Sequence, residues 1–182
     1  GDRMALDIRA EKNAHALVTT QCATKVHVMD HNHASQLQRF RLEEGSWLEY
    51  VPDPLILHRH ARYMQDTWVT LPESACFLYG EMLVPGRRWH HEEELFGFDL
   101  YSAGFHVCRE DGALLFEERL VLEPDDANFC NVAVMNGFEV FGSMFALVPQ
   151  SLVSELAHDA GCAVTRELAW GALKLPGGAG VA

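Results

Sequence analysis

The feature that most constrains this chain is a two-residue alternation that starts almost at once. Met4, Leu6, Ile8 and Ala10 share one parity, and Ala5, Asp7, Arg9 and Glu11 take the other. That period matches a strand with one buried face and does not match a helix, where apolar positions recur at three and four. Similar runs over 14–20, 24–30, 36–43 and 46–51 read as strands, with Glu44-Gly45 turning between the last two. Pro52 and Pro54 then interrupt any ladder, because proline donates no backbone hydrogen bond. Strands over 61–70 and 75–84 flank the Leu71-Pro72-Glu73-Ser74 turn, and Pro85-Gly86 closes the second.

The sharpest hairpin signal is Asp111-Gly112 between 96–109 and 113–122, since an Asp-Gly pair supplies the positive φ values of a tight turn. Past an acidic loop at 123–128, a strand is expected over 138–148. One helix follows: Leu152, Val153, Leu156, Ala157 and Ala160 recur at helical spacing, with Pro149 before them and Gly161 after. Short strands near 162–168 and 169–175 lead into Pro176-Gly177-Gly178. No internal sequence repeat or linker stands out. The expected fold is mostly β: one antiparallel β-rich domain over 1–182 with one or two short helices.

A chain of 182 residues is long enough to bury a substantial core, so disorder is excluded. The formal charge of -12 opposes phosphate backbones and anionic headgroups, and the densest basic pair, Arg87-Arg88, is followed by Glu92-Glu93-Glu94. Neither nucleic acid nor a membrane surface is an expected partner. No apolar run reaches the length of about 20 residues that spans a bilayer. The five cysteines are odd in number and lack CxxC spacing, which argues for reduced thiols in the cytoplasm rather than a disulfide framework.

Histidine is the one chemical letter in excess. His31 and His33, separated by one residue, would lie on the same side of an extended chain and hold a borderline metal such as nickel or zinc. His58-Arg59-His60 repeats the spacing and His90-His91 adds a third cluster. Solvated loops collect such histidines without function. Enzyme templates fail on spacing: His91-Glu92-Glu93-Glu94 continues with Leu95 where a zinc protease needs its second histidine, and no G-x-S-x-G elbow or Walker loop is present. Trp47, Trp68, Phe96 and Phe98 read as core or interface. The residues alone leave open a histidine-dependent metalloenzyme of a β-barrel type and a plain β interaction module.

Several stretches, taken in order, resemble the urease accessory protein family UreD, also called UreH. They are Gly1-Asp2-Arg3; Ala16-Leu17-Val18-Thr19-Thr20-Gln21 with Thr24-Lys25-Val26; and the run from Leu48-Glu49-Tyr50-Val51-Pro52 to Leu57. Ala61-Arg62-Tyr63, Gly80-Glu81, Pro85-Gly86-Arg87, Arg119-Leu120-Val121-Leu122-Glu123-Pro124 and the late Leu175-Pro176-Gly177-Gly178 continue the match. The resemblance implies a chaperone rather than an enzyme. It implies a scaffold that binds urease apoprotein and UreF, with the nickel-carrying GTPase UreG docked through UreF and no nucleotide held by this chain. It also implies a largely β fold with two helices and an internal passage for weakly and transiently held nickel.

By matching motif positions, Asp2 and Glu81 are the candidate residues lining that route. Glu81 also sits on an otherwise apolar strand, where burying a carboxylate is costly without water, a partner or a metal. A hydrogen-bonded structural acid is the competing reading. His91-Glu92 stands where the family carries Gly-Glu, and the histidine clusters are not a family hallmark. Because the family's chains begin earlier and extend later, the sequence reads as a fragment lacking its first strands and its C-terminal end. Sheet edges left unpaired in this way predict poor solubility without a partner.

Overall fold

The computed structural model describes residues 1–182 except 125–128, 130, 132 and 133. Most of the acidic loop and Cys130 therefore lie outside the described residues. The first seven strands run Arg3–Ala10 (β1), His15–Val18 (β2), Thr24–Val26 (β3), Ala34–Leu42 (β4), Trp47–Tyr50 (β5), Leu55–Leu57 (β6) and Arg62–Thr70 (β7). Cys76–Val84 (β8), Leu100–Cys108 (β9), Leu114–Leu122 (β10) and Phe141–Leu147 (β11) follow, then helix α1 at Gln150–Ala160. Cys162–Val164 (β12), Ala169–Gly171 (β13) and Gly180–Val181 (β14) complete the described strands.

The mostly β expectation holds, but the sheets are mixed rather than antiparallel. One sheet has the order β1-β4-β7-β9-β10, the first four strands parallel and the last antiparallel. The second has the order β14-β11-β8-β5-β2, with β6 also on β8 and β3 on β6. Between β1 and β9 the chain alternates between the two sheets, laying down β1, β2 with β3, β4, β5 with β6, β7, β8 and β9 in turn. Each pass adds a parallel strand to each sheet, so the structure repeats although the sequence does not. Alternation alone cannot distinguish this from a meander, because both arrangements bury one face of every strand.

Residues 51–54, which hold Pro52 and Pro54, form no strand. The break divides what would be one long strand into β5 and β6, which pair with successive parts of β8, Trp47 beside Cys76 and Leu55 beside Leu83. The β9–β10 hairpin forms as expected: Gly112 has φ 86° and Asp111 Oδ1 accepts from the Ala113 amide at 2.9 Å. Its first strand starts only at Leu100, because a 3-10 turn at Glu92–Glu94 and a positive φ at Phe96 occupy the preceding stretch.

The interior is two apolar clusters with a polar layer between. Phe40, Tyr50, Val69, Phe77, Val107, Phe145 and Leu147 belong to one cluster; Val26, Leu57, Tyr63, Leu83, Phe98 and Tyr101 belong to the other. The register explains the division. Phe40, Val69 and Val107 stand side by side across β4, β7 and β9, and so do Ala34, Tyr63 and Tyr101. The rows between them carry Gln38 beside Thr67 and Gln36 beside Gln65. Along β8 the inward positions run Phe77, Tyr79, Glu81 and Leu83, the same apolar to polar to apolar sequence. Phe98 is buried, whereas Trp47 and Trp68 lie on exposed sheet faces.

Phe40 is fully buried and touches the rings of Tyr50, Phe77 and Tyr79. Phe40→Ala is expected to cost about 3–5 kcal/mol in urea unfolding, whereas truncating the exposed Trp89 should stay within about 0.5 kcal/mol of the parent protein.

Candidate functional site

The polar layer is a connected network. Glu81 Oε2 accepts from Gln65 Nε2 and from the Tyr79 hydroxyl, both at 3.1 Å. Gln65 Nε2 also donates to the Tyr79 hydroxyl at 3.0 Å, Thr67 Oγ1 donates to Gln38 Oε1 at 3.1 Å, and the Tyr63 hydroxyl donates to Gln36 Oε1 at 2.6 Å. Burial raises the Glu81 carboxyl above its ordinary value, and its two hydrogen bonds offset only part of that effect. Burial likewise raises the Tyr63, Tyr79 and Tyr101 phenols, which stay protonated and able to donate.

Two voids meet at Glu81. One has a volume of about 60 Å³, enough for a few water molecules. It is lined by Gln36, Gln38, Gln65, Tyr79 and Glu81 and reaches Thr20 and the exposed Asp53. It opens where Pro52 and Pro54 interrupt the strands, and the Asp53 amide donates to Thr20 Oγ1 at 2.8 Å across that gap. The other void, about 10 Å³, borders Tyr79, Glu81 and Ser143 and reaches the exposed Glu118. Ser143 faces Glu81 in the β8–β11 ladder. Oxygen-bearing groups therefore run from Asp53 inward to Glu81 and out to Glu118.

The other sequence candidates are not brought to this layer. Asp2 is exposed beside the edge strand β1, where its backbone carbonyl accepts from the Ser35 amide at 2.9 Å. It does not line either void. His31 and His33 flank Asn32, whose φ is 70° and whose Oδ1 accepts from the His33 amide at 2.9 Å. The extended geometry that would align the two imidazoles is therefore absent. The second His-x-His run also turns, at His60 with φ 57°: His58 is buried, while His60 is exposed and bonded through Nδ1 to Asp99 at 3.0 Å. Among the described residues no group of three or more His, Cys, Asp or Glu side chains is placed to hold a metal ion. Glu118 and the glutamines were missed by the sequence reading; the signal was an inward parity, Gln36, Gln38, Phe40 and Leu42, that mixes amides with apolar residues.

A second carboxylate fixes the loop below the layer. Gly86 has φ 116°, and an added Cβ would meet the Glu94 carbonyl oxygen at 1.8 Å, so only glycine lets the loop close there. Arg87 Nη2 then donates to Glu94 Oε1 at 2.6 Å and Arg87 Nε to Glu94 Oε2 at 3.1 Å. This pairing lowers the Glu94 carboxyl to about 2.

The described residues form a two-sheet body of mixed strands with small oxygen-lined interior voids, and a fold of this kind defines a class of protein only together with its site. The chain matches the family described as UreD urease accessory protein over residues 1–182. It is 47% identical over 150 residues to the urease accessory protein UreD of Yersinia pestis bv. Antiqua, covering 82% of this chain and 54% of that one. The Yersinia pseudotuberculosis serotype O:1b protein of the same name gives the same identity over 82% of this chain and 47% of its own. Urease accessory protein UreD 2 of Brucella canis is 40% identical over 183 residues, all of this chain and 61% of that one. This chain belongs to the UreD family of urease accessory proteins. It spans about half the length of the curated relatives it matches. No helix among the described residues is long and apolar enough to cross a membrane, and Cys22, Cys76, Cys108 and Cys162 are free thiols.

Two stability predictions with opposite pH dependence follow from these carboxylates. Because the folded state raises the Glu81 carboxyl, its ionisation costs stability as the pH climbs. Glu81→Gln should be more stable than the parent at pH 8 in urea unfolding, and the gain should vanish below the ordinary carboxyl value of 4.5. The Glu94 contribution is present above 4.5 and disappears as the pH falls toward about 2. Glu94→Gln should therefore be destabilised at pH 7, by on the order of 3 kcal/mol at most, with the difference closing in acid.

Proposed function

We propose that the protein containing this chain is a scaffold for urease maturation that binds urease apoprotein and UreF, with UreG joining through UreF, and that nickel moves through its polar layer toward the urease site. The nickel is cargo. The observation that carries this reading is the Glu81 carboxylate standing where two voids meet, each reaching an exposed acid at the surface.

The donor chemistry suits a transient ion. Oxygen ligands from a carboxylate, phenols, amides and water hold nickel less firmly than a closed cage of thiolates and imidazoles, so the ion can leave. A wholly apolar interior would oppose a dication by many kcal/mol, whereas a hydrated channel with one ionisable oxygen lowers that barrier. Asp53 and Glu118 would collect the cation at the two openings. The membership in a family named for urease accessory proteins supports the same direction.

The test uses the full-length protein co-expressed with the urease subunits, UreF and UreG. Glu81→Gln, which keeps the shape and removes the charge, is expected to leave recovery of the UreF complex unchanged while lowering nickel per urease active site several-fold. Unaltered nickel content with an intact complex would defeat the passage. Failure of the full-length protein to recover UreF or urease would defeat the scaffold.

A further inference from the structure

Away from the polar layer, the ladder that joins β3 to β6 ends on a pair of histidines. Thr24, Lys25 and Val26 lie beside Leu55, Ile56 and Leu57 in parallel register. One step further brings His27 beside His58, and the His58 amide donates to the Val26 carbonyl at 3.0 Å. Neighbours in register on parallel strands place their side chains on the same face. The two imidazole rings stand 4.6 Å apart between centroids at an interplanar angle of 79°. They line a cleft of about 340 Å³ together with Arg59, His60, Arg87 and Glu94.

His58 is 6% exposed, and its Nε2 has no hydrogen-bond partner. An orphaned buried nitrogen costs roughly 1–3 kcal/mol, which a ligand would recover. We propose that His27 and His58 form a two-imidazole site for a borderline divalent transition metal such as nickel, with water completing the coordination. An imidazole nitrogen binds such an ion at about 2.1 Å, so each ring centre lies about 3.2 Å from the metal, and two nitrogens coordinating at about 90° to each other set the ring centres about 4.5 Å apart. The pair already has that separation.

The surrounding charges permit it. Arg87 is engaged by both Glu94 oxygens and Arg59 by Glu93, so each guanidinium group of the cleft is paired with a carboxylate. Burial, with smaller contributions from Arg87, His27 and Lys25, lowers the His58 imidazole below its ordinary value, which keeps its lone pair available near neutral pH. His60 is not a third ligand in this arrangement, since among the described residues no three such side chains are grouped to hold a metal ion. With Glu94 committed to Arg87, the protein donors are two nitrogens, a set distinct from the oxygens around Glu81. Two protein ligands with open positions suit an ion that exchanges. The site is independent of the passage proposed above.

The full-length protein, free of any histidine tag, is titrated with nickel chloride by calorimetry at pH 7.5, and with substoichiometric copper(II) for electron paramagnetic resonance. His27→Ala, at an exposed position, and His58→Gln should each weaken one nickel site at least tenfold and remove the two-nitrogen hyperfine pattern. Circular dichroism checks that His58→Gln folds. Glu81→Gln should leave this site intact, so the pair and the passage fail separately. Unchanged nickel affinity and stoichiometry in His27→Ala would overturn the assignment.

Discussion

Everything in this fold is arranged around one costly interaction, the partly buried Glu81 carboxylate held by Tyr79 and Gln65. A charge in a protein interior survives only with partners or water, and here it has both hydrogen-bond donors and adjoining voids. The expense extends beyond one residue. Gln36, Gln38, Gln65 and Thr67 occupy positions that a simple two-sheet core would fill with aliphatic side chains, so the apolar interior is split into two clusters. Each cluster must then be well packed, which the aromatic contacts of Phe40 and Phe77 on one side and the stacked Tyr63 and Tyr101 on the other provide.

The parallel ladder makes such a layer possible. When each pass of the chain adds a strand in register, residues of like character line up across several strands and form a continuous stripe. Gln38 meets Thr67 in that way, and Gln36 meets Gln65. The same geometry sets Asp7 beside Arg39 and Arg39 beside Trp68 on the outer face, where the Asp7 and Arg39 side chains pair at 3.2 Å. It also brings His27 to His58. Interior and surface chemistry therefore both follow from register between strands distant in sequence. Proline at positions 52 and 54 interrupts this lattice beside Asp53.

Much of the strand pattern was legible because half-buried strands must alternate. The β1, β4, β7 and β8 spans, the Asp111-Gly112 turn and the late helix are all marked by local letters. Strand direction was not legible, since parity is the same whether the neighbour runs parallel or antiparallel. Glu81 stood out as a lone acid in an apolar run, and Tyr79 is its neighbour two residues back on the same strand face, but Gln65 did not stand out because it reaches Glu81 only through tertiary packing. The His-x-His spacing aligns rings only on an extended chain, and left-handed residues at Asn32 and His60 break that condition. The pair that does form lies across a ladder, where no local spacing announces it.

The most direct measurement is a crystal structure of the full-length protein in complex with UreF, soaked in nickel and recorded at the nickel absorption edge. The account predicts an anomalous peak in the layer between Asp53 and Glu118, within about 2.1 Å of a Glu81 oxygen, as expected for a metal–carboxylate bond. Anomalous signal confined to surface histidines, around a Glu81 carboxylate in a dry, metal-free interior, would contradict it.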